Sequence, residues 1–227
     1  MSSLLNQVAL ITGAGTGLGR ATAIHLAAEG AEVVLVGRRR GKLEEVAQII
    51  EQSNGRYVVI PTDVTNPEEV QRLREQVLTQ LGRVDVLINN AGGTGTPTSI
   101  HDMTYTIWDS IIRLNLYSPF LVTNAILPVM REQHYGRIVS ITSALSTFTY
   151  EGFGAYSAAK AGMDALMRMV ALEEAKNGIL VNMFDPGNLK SEQNPHGAED
   201  PATVVDDIIN LATLPINGPS GQILKAN

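Results

Sequence analysis

Apolar positions in this chain come in short unbroken bursts, separated by longer stretches in which they recur every three or four residues. The bursts are "VALIT" (8–12), "EVVLVG" (32–37), "YVVIP" (57–61), "VDVLIN" (84–89), "RIVSIT" (137–142) and "ILVNMF" (179–184). Each is nearly all apolar and rich in β-branched side chains, as a strand buried on both faces should be. The stretches between them predict helices. Residues 18–29 are rich in Ala and Leu, and 41–53 carry Leu43, Val46, Ala47 and Ile50 at helical spacing. The helix over 67–81 opens with Asn66 as a cap and Pro67 in its first turn. Long helical patterns follow at 105–133 and 155–176, a shorter one at 201–213, and a last short strand at 221–226.

Strand and helix in strict alternation, with short connections, mean parallel βαβ units covered by helices on both faces. No linker, low-complexity tract or charge run divides the chain, so one doubly wound α/β domain over residues 1–227 is expected. In such a sheet, ligands bind beyond the carboxyl ends of the strands, and the loops there are where chemistry should be sought.

Composition narrows the function classes. The net charge of −6 argues against a nucleic-acid partner. With no cysteine there is no disulfide, thiolate metal site or cysteine nucleophile. The four histidines, His25, His101, His134 and His196, are scattered without ligand-like spacing, so no metal site is expected. No apolar run approaches the roughly 18 residues that span a bilayer, and "MSSLLNQVALITG" lacks the build of a secretory signal. A soluble cytoplasmic protein is expected.

The first strand runs through "TGAGTGLG" (12–19) straight into a helix. Gly13, Gly17 and Gly19 allow a tight turn and close approach of backbone to a pyrophosphate, which the helix amino terminus would then hold. The second strand ends in "LVGRRRGK". A free ribose 2′-hydroxyl calls for Asp or Glu at that place and a 2′-phosphate for arginine. Arg38, Arg39 and Arg40 stand there without a carboxylate, which favours NADP(H) over NAD(H), with Arg38, first after the strand, as the leading candidate. After the third strand, Asp63 either caps the coming helix or accepts a hydrogen bond from an adenine amino group. After the fourth, Asn89 and Asn90 either tie neighbouring loops together or touch the cofactor ribose.

"GAYSAAKAGMDAL" (154–166) puts Tyr156 one helical turn before Lys160. A free phenol titrates near 10, and making it a base near neutrality needs roughly 4 kcal/mol of preferential stabilisation of the phenolate. A neighbouring ammonium and the helix amino terminus supply effects of that sign, so a lowered phenol pKa is expected. Thirteen residues earlier, Ser143 stands at a strand's carboxyl end, where its hydroxyl could orient a carbonyl. Taken singly, Tyr156 could equally be a packed aromatic, Lys160 a surface charge and Ser143 a helix cap.

Together these residues resemble the short-chain dehydrogenase/reductase family, over about Gln7 to Gln222. "TGAGTGLG" resembles its T-G-x-x-x-G-x-G turn, "NNAG" (89–92) its structural and cofactor motif, and "YSAAK" (156–160) its Y-x-x-x-K. "WDSIIRLNLYSPF" (108–120) resembles the segment that carries the family's catalytic asparagine, and "DPGNLKS" (185–191) its P-G-x-x-x-T turn, with Ser191 for the usual threonine. The resemblance implies a Rossmann-like parallel sheet of about seven strands and hydride transfer between a nicotinamide and a carbonyl or secondary alcohol, in the manner of carbonyl or 3-oxoacyl reductases. It implies Asn115, Ser143, Tyr156 and Lys160 as the catalytic set. On the cofactor side it implies Gly13, Thr16, Gly17, Leu18 and Gly19 for the pyrophosphate, Arg38 and Arg39 for the 2′-phosphate, and Asp63 and Val64 for the adenine. Asn90, Ala91 and Gly92 would lie along the ribose, with Tyr156 and Lys160. Pro186, Gly187, Leu189 and Ser191 would lie beside the nicotinamide carboxamide. A homodimer or homotetramer is the family's common state.

The segment 188–201 is short and polar, and an open or poorly covered pocket tolerant of substrate size is expected from it. Leu145, Phe148, Tyr150 and Phe153 are the candidate pocket walls, suiting an apolar carbonyl compound. The alternative, an NADP(H)-binding sensor or scaffold without turnover, should be marked by loss of a catalytic residue, and all four are present.

Overall fold

The computed structural model describes residues 4–226. The ends of the expected 1–227 domain, residues 1–3 and 227, lie outside the described residues. Seven parallel strands form one sheet in the order β3-β2-β1-β4-β5-β6-β7. They are β1 (Val8–Thr12), β2 (Glu32–Gly37), β3 (Arg56–Pro61), β4 (Val86–Asn89), β5 (Gly136–Ile141), β6 (Ile179–Asp185) and β7 (Ile223–Lys225). Helices α1 (Gly17–Ala28), α2 (Arg40–Gln52), α3 (Pro67–Leu81), α4 (Tyr105–Ile112), α5 (Ser118–Gln133), α6 (Gly154–Glu174) and α7 (Val205–Ala212) connect them.

The apolar bursts explain the two-sided burial. Along β1, Ala9 and Ile11 pack with α1, α2 and α7, while Val8 and Leu10 pack with α3, α5 and α6. In β2, Val33 and Leu35 face the first group and Val34 and Val36 the second, because successive side chains of a strand point to opposite faces. Two cores thus sandwich the sheet, and β1 to β6 contribute to both, while the edge strand β7 adds Ile223 to the second.

The elements differ from the sequence expectation in three places. The pattern at 105–133 is not one regular helix: a π-helical turn, Arg113–Tyr117, joins α4 to α5. Such turns cluster at functional sites, and this one carries Asn115. The helix expected over 201–213 begins as a 3₁₀ turn, Pro201–Val204. The strand expected over 84–89 starts only at Val86, because the buried Asp85 turns its carboxylate to the Val8 N–H and to Arg83. Asn66 caps α3, its Oδ1 accepting from the N–H groups of Glu68 (3.0 Å) and Glu69 (3.3 Å).

Candidate active site

The strands' carboxyl ends open into a cleft of about 730 Å³. Gly37 at the end of β2, and Gly13, Thr62, Asn90, Ser143 and Pro186 from the loops after β1, β3, β4, β5 and β6, line it. The glycine turn forms one wall. Gly13 (φ +67°) and Gly17 (φ +53°) hold left-handed backbone that favours glycine. A Cβ on Gly19 would collide with the Gly13 carbonyl oxygen and the Asn90 side chain, so only glycine lets α1 start so close to the turn. Thr16 precedes α1 in extended conformation, and its side chain makes no capping bond. The first N–H groups of α1 are thereby left for a ligand, and Thr16, Gly17 and Leu18 face the cleft.

The turn is tied to β4 by Thr12 and Asn90. The Thr12 hydroxyl accepts from the N–H groups of Asn90 and Ala91, both at 3.0 Å, and Asn90 Nδ2 donates to the carbonyls of Thr12 (2.9 Å) and Gly13 (3.2 Å). Asn89 lies deeper, bonding Thr123 and Ser140. Of the two readings of this pair, the structure displays the loop-tying one. Arg38, Arg39, Asp63 and Val64 line the neighbouring wall. Asp63 does not cap α3, since Asn66 does; its Oδ1 accepts from the N–H and hydroxyl of Thr65 at 2.9 and 2.7 Å.

Ser143, Tyr156 and Lys160 also line the cleft. Ser143 begins a 3₁₀ turn and its Oγ accepts from the Leu145 N–H at 3.2 Å. Lys160 is buried on α6; its Nζ donates to the Ile141 carbonyl at 2.6 Å and lies 5.6 Å from the Tyr156 ring centroid. Burial lowers its pKa to about 8, with the charge of Asp164 opposing. The phenol corrects the expectation. Burial pushes Tyr156 up to about 12; a hydrogen bond with Ser143 opposes this, and the charges of Asp185 and Asp164 add to it. Desolvation therefore outweighs the stabilisation that the helix-spaced lysine was expected to give. Asn115, fully buried, donates to the carbonyls of Gly93 (2.8 Å) and Ile111 (2.9 Å) and accepts from the Gly93 N–H at 3.1 Å. A Cβ on Gly92 would lie 2.9 Å from Asn115 Oδ1 and 3.5 Å from Lys160 Nζ, so both side chains meet at that loop.

The family model described as short chain dehydrogenase matches residues 7–201. The chain belongs to this family. It is 39% identical over 194 residues to a 3-oxoacyl-[acyl-carrier-protein] reductase of Synechocystis sp., covering 85% of this chain and 78% of that protein. It is 34% identical to an uncharacterised oxidoreductase of Staphylococcus aureus strain N315, covering 95% and 94%. A solved metagenomic short-chain oxidoreductase in complex with NADP superposes with a TM-score of 0.90 at 31% identity, covering 99% of each chain.

The fold and site of this short-chain dehydrogenase fit the nicotinamide dinucleotide that its family binds: a glycine cradle, an uncapped helix amino terminus and an arginine pair share one cleft. Two of the four expected pocket walls are misplaced. Leu145 and Phe153 line the cleft, whereas Phe148 and Tyr150 do not. The 3₁₀ turn Ala144–Ser146 redirects the chain, leaving both rings exposed, Tyr150 against Phe153 and Phe148 near Lys225. Pro97, Leu114 and Ile141 line the cleft in their stead. The glycine-rich run after "NNAG", "GTGTP", was the signal that could have directed attention to the Gly93–Pro97 edge.

The segment after β6, from which an open or poorly covered pocket was expected, crosses the cleft and lines it. Asn194 staples it through bonds to Asn188 Oδ1 (2.7 Å) and the Leu189 carbonyl (3.0 Å), and Leu189 bridges Glu199. Leu189 and Ser191 face the cleft with Pro186 and Gly187. Glu192 pairs with Arg39 at 2.6 Å, and Gln193 reaches the Gly92 carbonyl at 3.5 Å. Among the described residues no group of three His, Asp or Glu side chains could hold a metal ion, and no helix is long and apolar enough to cross a membrane.

Proposed function

We propose that the chain is an NADP(H)-dependent reductase that moves a hydride to a carbonyl carbon, reversibly from a secondary alcohol, with Tyr156 as the general acid/base. The observation that carries this reading is the meeting of Ser143, Tyr156 and Lys160 in the cleft that the glycine turn also lines. The bound nicotinamide supplies or accepts the hydride. The Ser143 hydroxyl donates to the substrate carbonyl oxygen and orients it. Tyr156, protonated at neutral pH, gives its proton to that oxygen as negative charge develops there. Lys160 keeps much of its charge below pH 8 and stabilises the phenolate that remains. Asn115 fixes the Gly92–Gly93 backbone beside Lys160 and holds a water of the relay that returns the proton.

Arg38 and Arg39 take the 2′-phosphate, Asp63 and Val64 the adenine, and Leu189 and Ser191 the carboxamide. The apolar edge of Pro97, Leu114, Ile141, Leu145 and Phe153 suits an acyl or alkyl carbonyl compound, and a 3-oxoacyl thioester, the substrate class named for the Synechocystis relative, is the first to try. The same reading sets the protein in the cytoplasm as a homodimer or homotetramer, with the exposed apolar side chains of Tyr117, Phe120, Met169 and Leu172 as contact surface.

The test is Tyr156→Phe. The variant should keep NADPH affinity nearly unchanged while kcat falls roughly 10²- to 10⁴-fold, the range for a general acid. A variant with wild-type kcat would overturn the assignment of the proton donor.

A further inference from the structure

The crossing segment brings an acid to a place where the proposed cofactor brings another. Glu192 Oε2 accepts a single hydrogen bond from Arg39 Nη2 at 2.6 Å. Both side chains are about half exposed, 58% for Arg39 and 50% for Glu192. An exposed one-point ion pair is weakly held and exchangeable. Arg39 is also one of the two cleft-lining guanidinium groups at the end of β2, where a ribose 2′-substituent is read. The segment touches the other walls as well: Ser191 Cβ would lie 3.5 Å from a Cβ on Gly17, and Gln193 reaches Gly92. Glu192 therefore sits beside Arg39 on a strap that also touches the glycine turn and the loop after β4.

We propose that Glu192 is a cofactor-selecting residue, its carboxylate competing with the 2′-phosphate of NADP(H) for Arg39. This inference rests on the NADP(H) reading above and deepens it. A phosphate monoester carries nearly two negative charges at neutral pH and offers three acceptor oxygens, so it displaces one carboxylate from a guanidinium. NADP(H) thereby exchanges one Arg39 ion pair for a stronger one and releases the strap at Glu192. NAD(H), with a neutral hydroxyl at that position, has nothing to offer Arg39 and leaves the strap pinned. The net preference for NADP(H) is smaller than the arginines alone would give, because Glu192 must be displaced first.

The test is a fluorescence titration of the full chain with NADPH and with NADH, on wild type, Glu192→Gln, Arg39→Gln and the double variant. Glu192→Gln should tighten NADPH about two- to fivefold, the scale of an exposed ion pair, and leave NADH nearly unmoved. In the Arg39→Gln background the same substitution should change NADPH binding little, because the contested partner is gone. An equal gain for both cofactors overturns the proposal, since it would mark only a general charge effect on the pyrophosphate. So does a gain that survives in the Arg39→Gln background, or no gain at all. The failure of the underlying reading looks different: wild type then binds NADH the more tightly, and neither Arg39→Gln nor Arg38→Ala weakens NADPH, which overturns both.

Discussion

At Tyr156 and Lys160 the same burial acts with opposite sign on two groups. Taking a phenolate out of water raises the phenol to about 12, and taking an ammonium out of water lowers the lysine to about 8. The consequence for stability follows from proton counting. An unfolded lysine titrates near 10.5, so between about pH 8 and 10.5 the unfolded chain holds a proton that the folded chain has released. Stability from this group therefore rises with pH across that window, and below it the fold carries the full cost of a buried ammonium. Tyr156 acts oppositely from pH 10 to about 12, where the unfolded phenol ionises first. Thermal unfolding of wild type and Lys160→Met from pH 7 to 10 should thus converge on one another or cross, wild type gaining up to about 2–3 kcal/mol on the variant. Parallel curves would mean that burial does not depress Lys160. That Tyr156 and Lys160 share a helix face was readable from their spacing, while the reading of Asn115, Ser143, Tyr156 and Lys160 as one set came from the resemblance to the family. The direction of the phenol shift was not readable, because desolvation depends on what covers α6, and sequence spacing carries no measure of cover.

At the scale of elements, the glycine turn and the strap show what a local pattern can and cannot tell. Gly13, Gly17 and Gly19 follow a buried strand and open a helix, so their role was legible from their neighbours. The reason Gly19 must be glycine lies in the approach of the Gly13 carbonyl and Asn90, which only the folded turn reveals. Gly19→Ala should lower stability by about 1–3 kcal/mol, the usual cost of overpacking, read as a shift in the urea midpoint, and should weaken cofactor binding along with it. An alanine variant of wild-type stability would show that the turn has room to relax. Residues 188–201 read in the sequence only as a short polar loop. Its shape comes from Asn188 and Asn194 bonding each other and from Glu192 meeting Arg39 across 153 positions of chain, pairings that no local period encodes. Phe148 and Tyr150 were misjudged for a related reason: a single 3₁₀ turn after Ser143 sends the chain outward.

At the scale of the whole molecule, the sheet order 3-2-1-4-5-6-7 gathers side chains from the first third to the last sixth of the sequence at one edge. The alternation of bursts and helical stretches made a doubly wound parallel sheet readable, with about seven strands implied by the resemblance, whereas the strand order is seen only in the fold. The same arrangement brings the β1 to β3 ends, with the glycine turn, Arg38 and Asp63, into one cleft with Ser143, Tyr156 and Lys160 from the β5 end and α6, and on the proposed reading the first group holds the nucleotide and the second donates the proton. The central claim is that hydride is transferred in that cleft. The most direct measurement is to incubate the protein with NADPH deuterated at the transferable C4 position and a 3-oxoacyl thioester, and to weigh the product by mass spectrometry. The account predicts one deuterium on the new carbinol carbon with wild type and almost none with Tyr156→Phe over the same time. Binding of NADPH with no deuterium delivered to this or any other carbonyl compound would contradict it and leave a protein that holds the cofactor without turning it over.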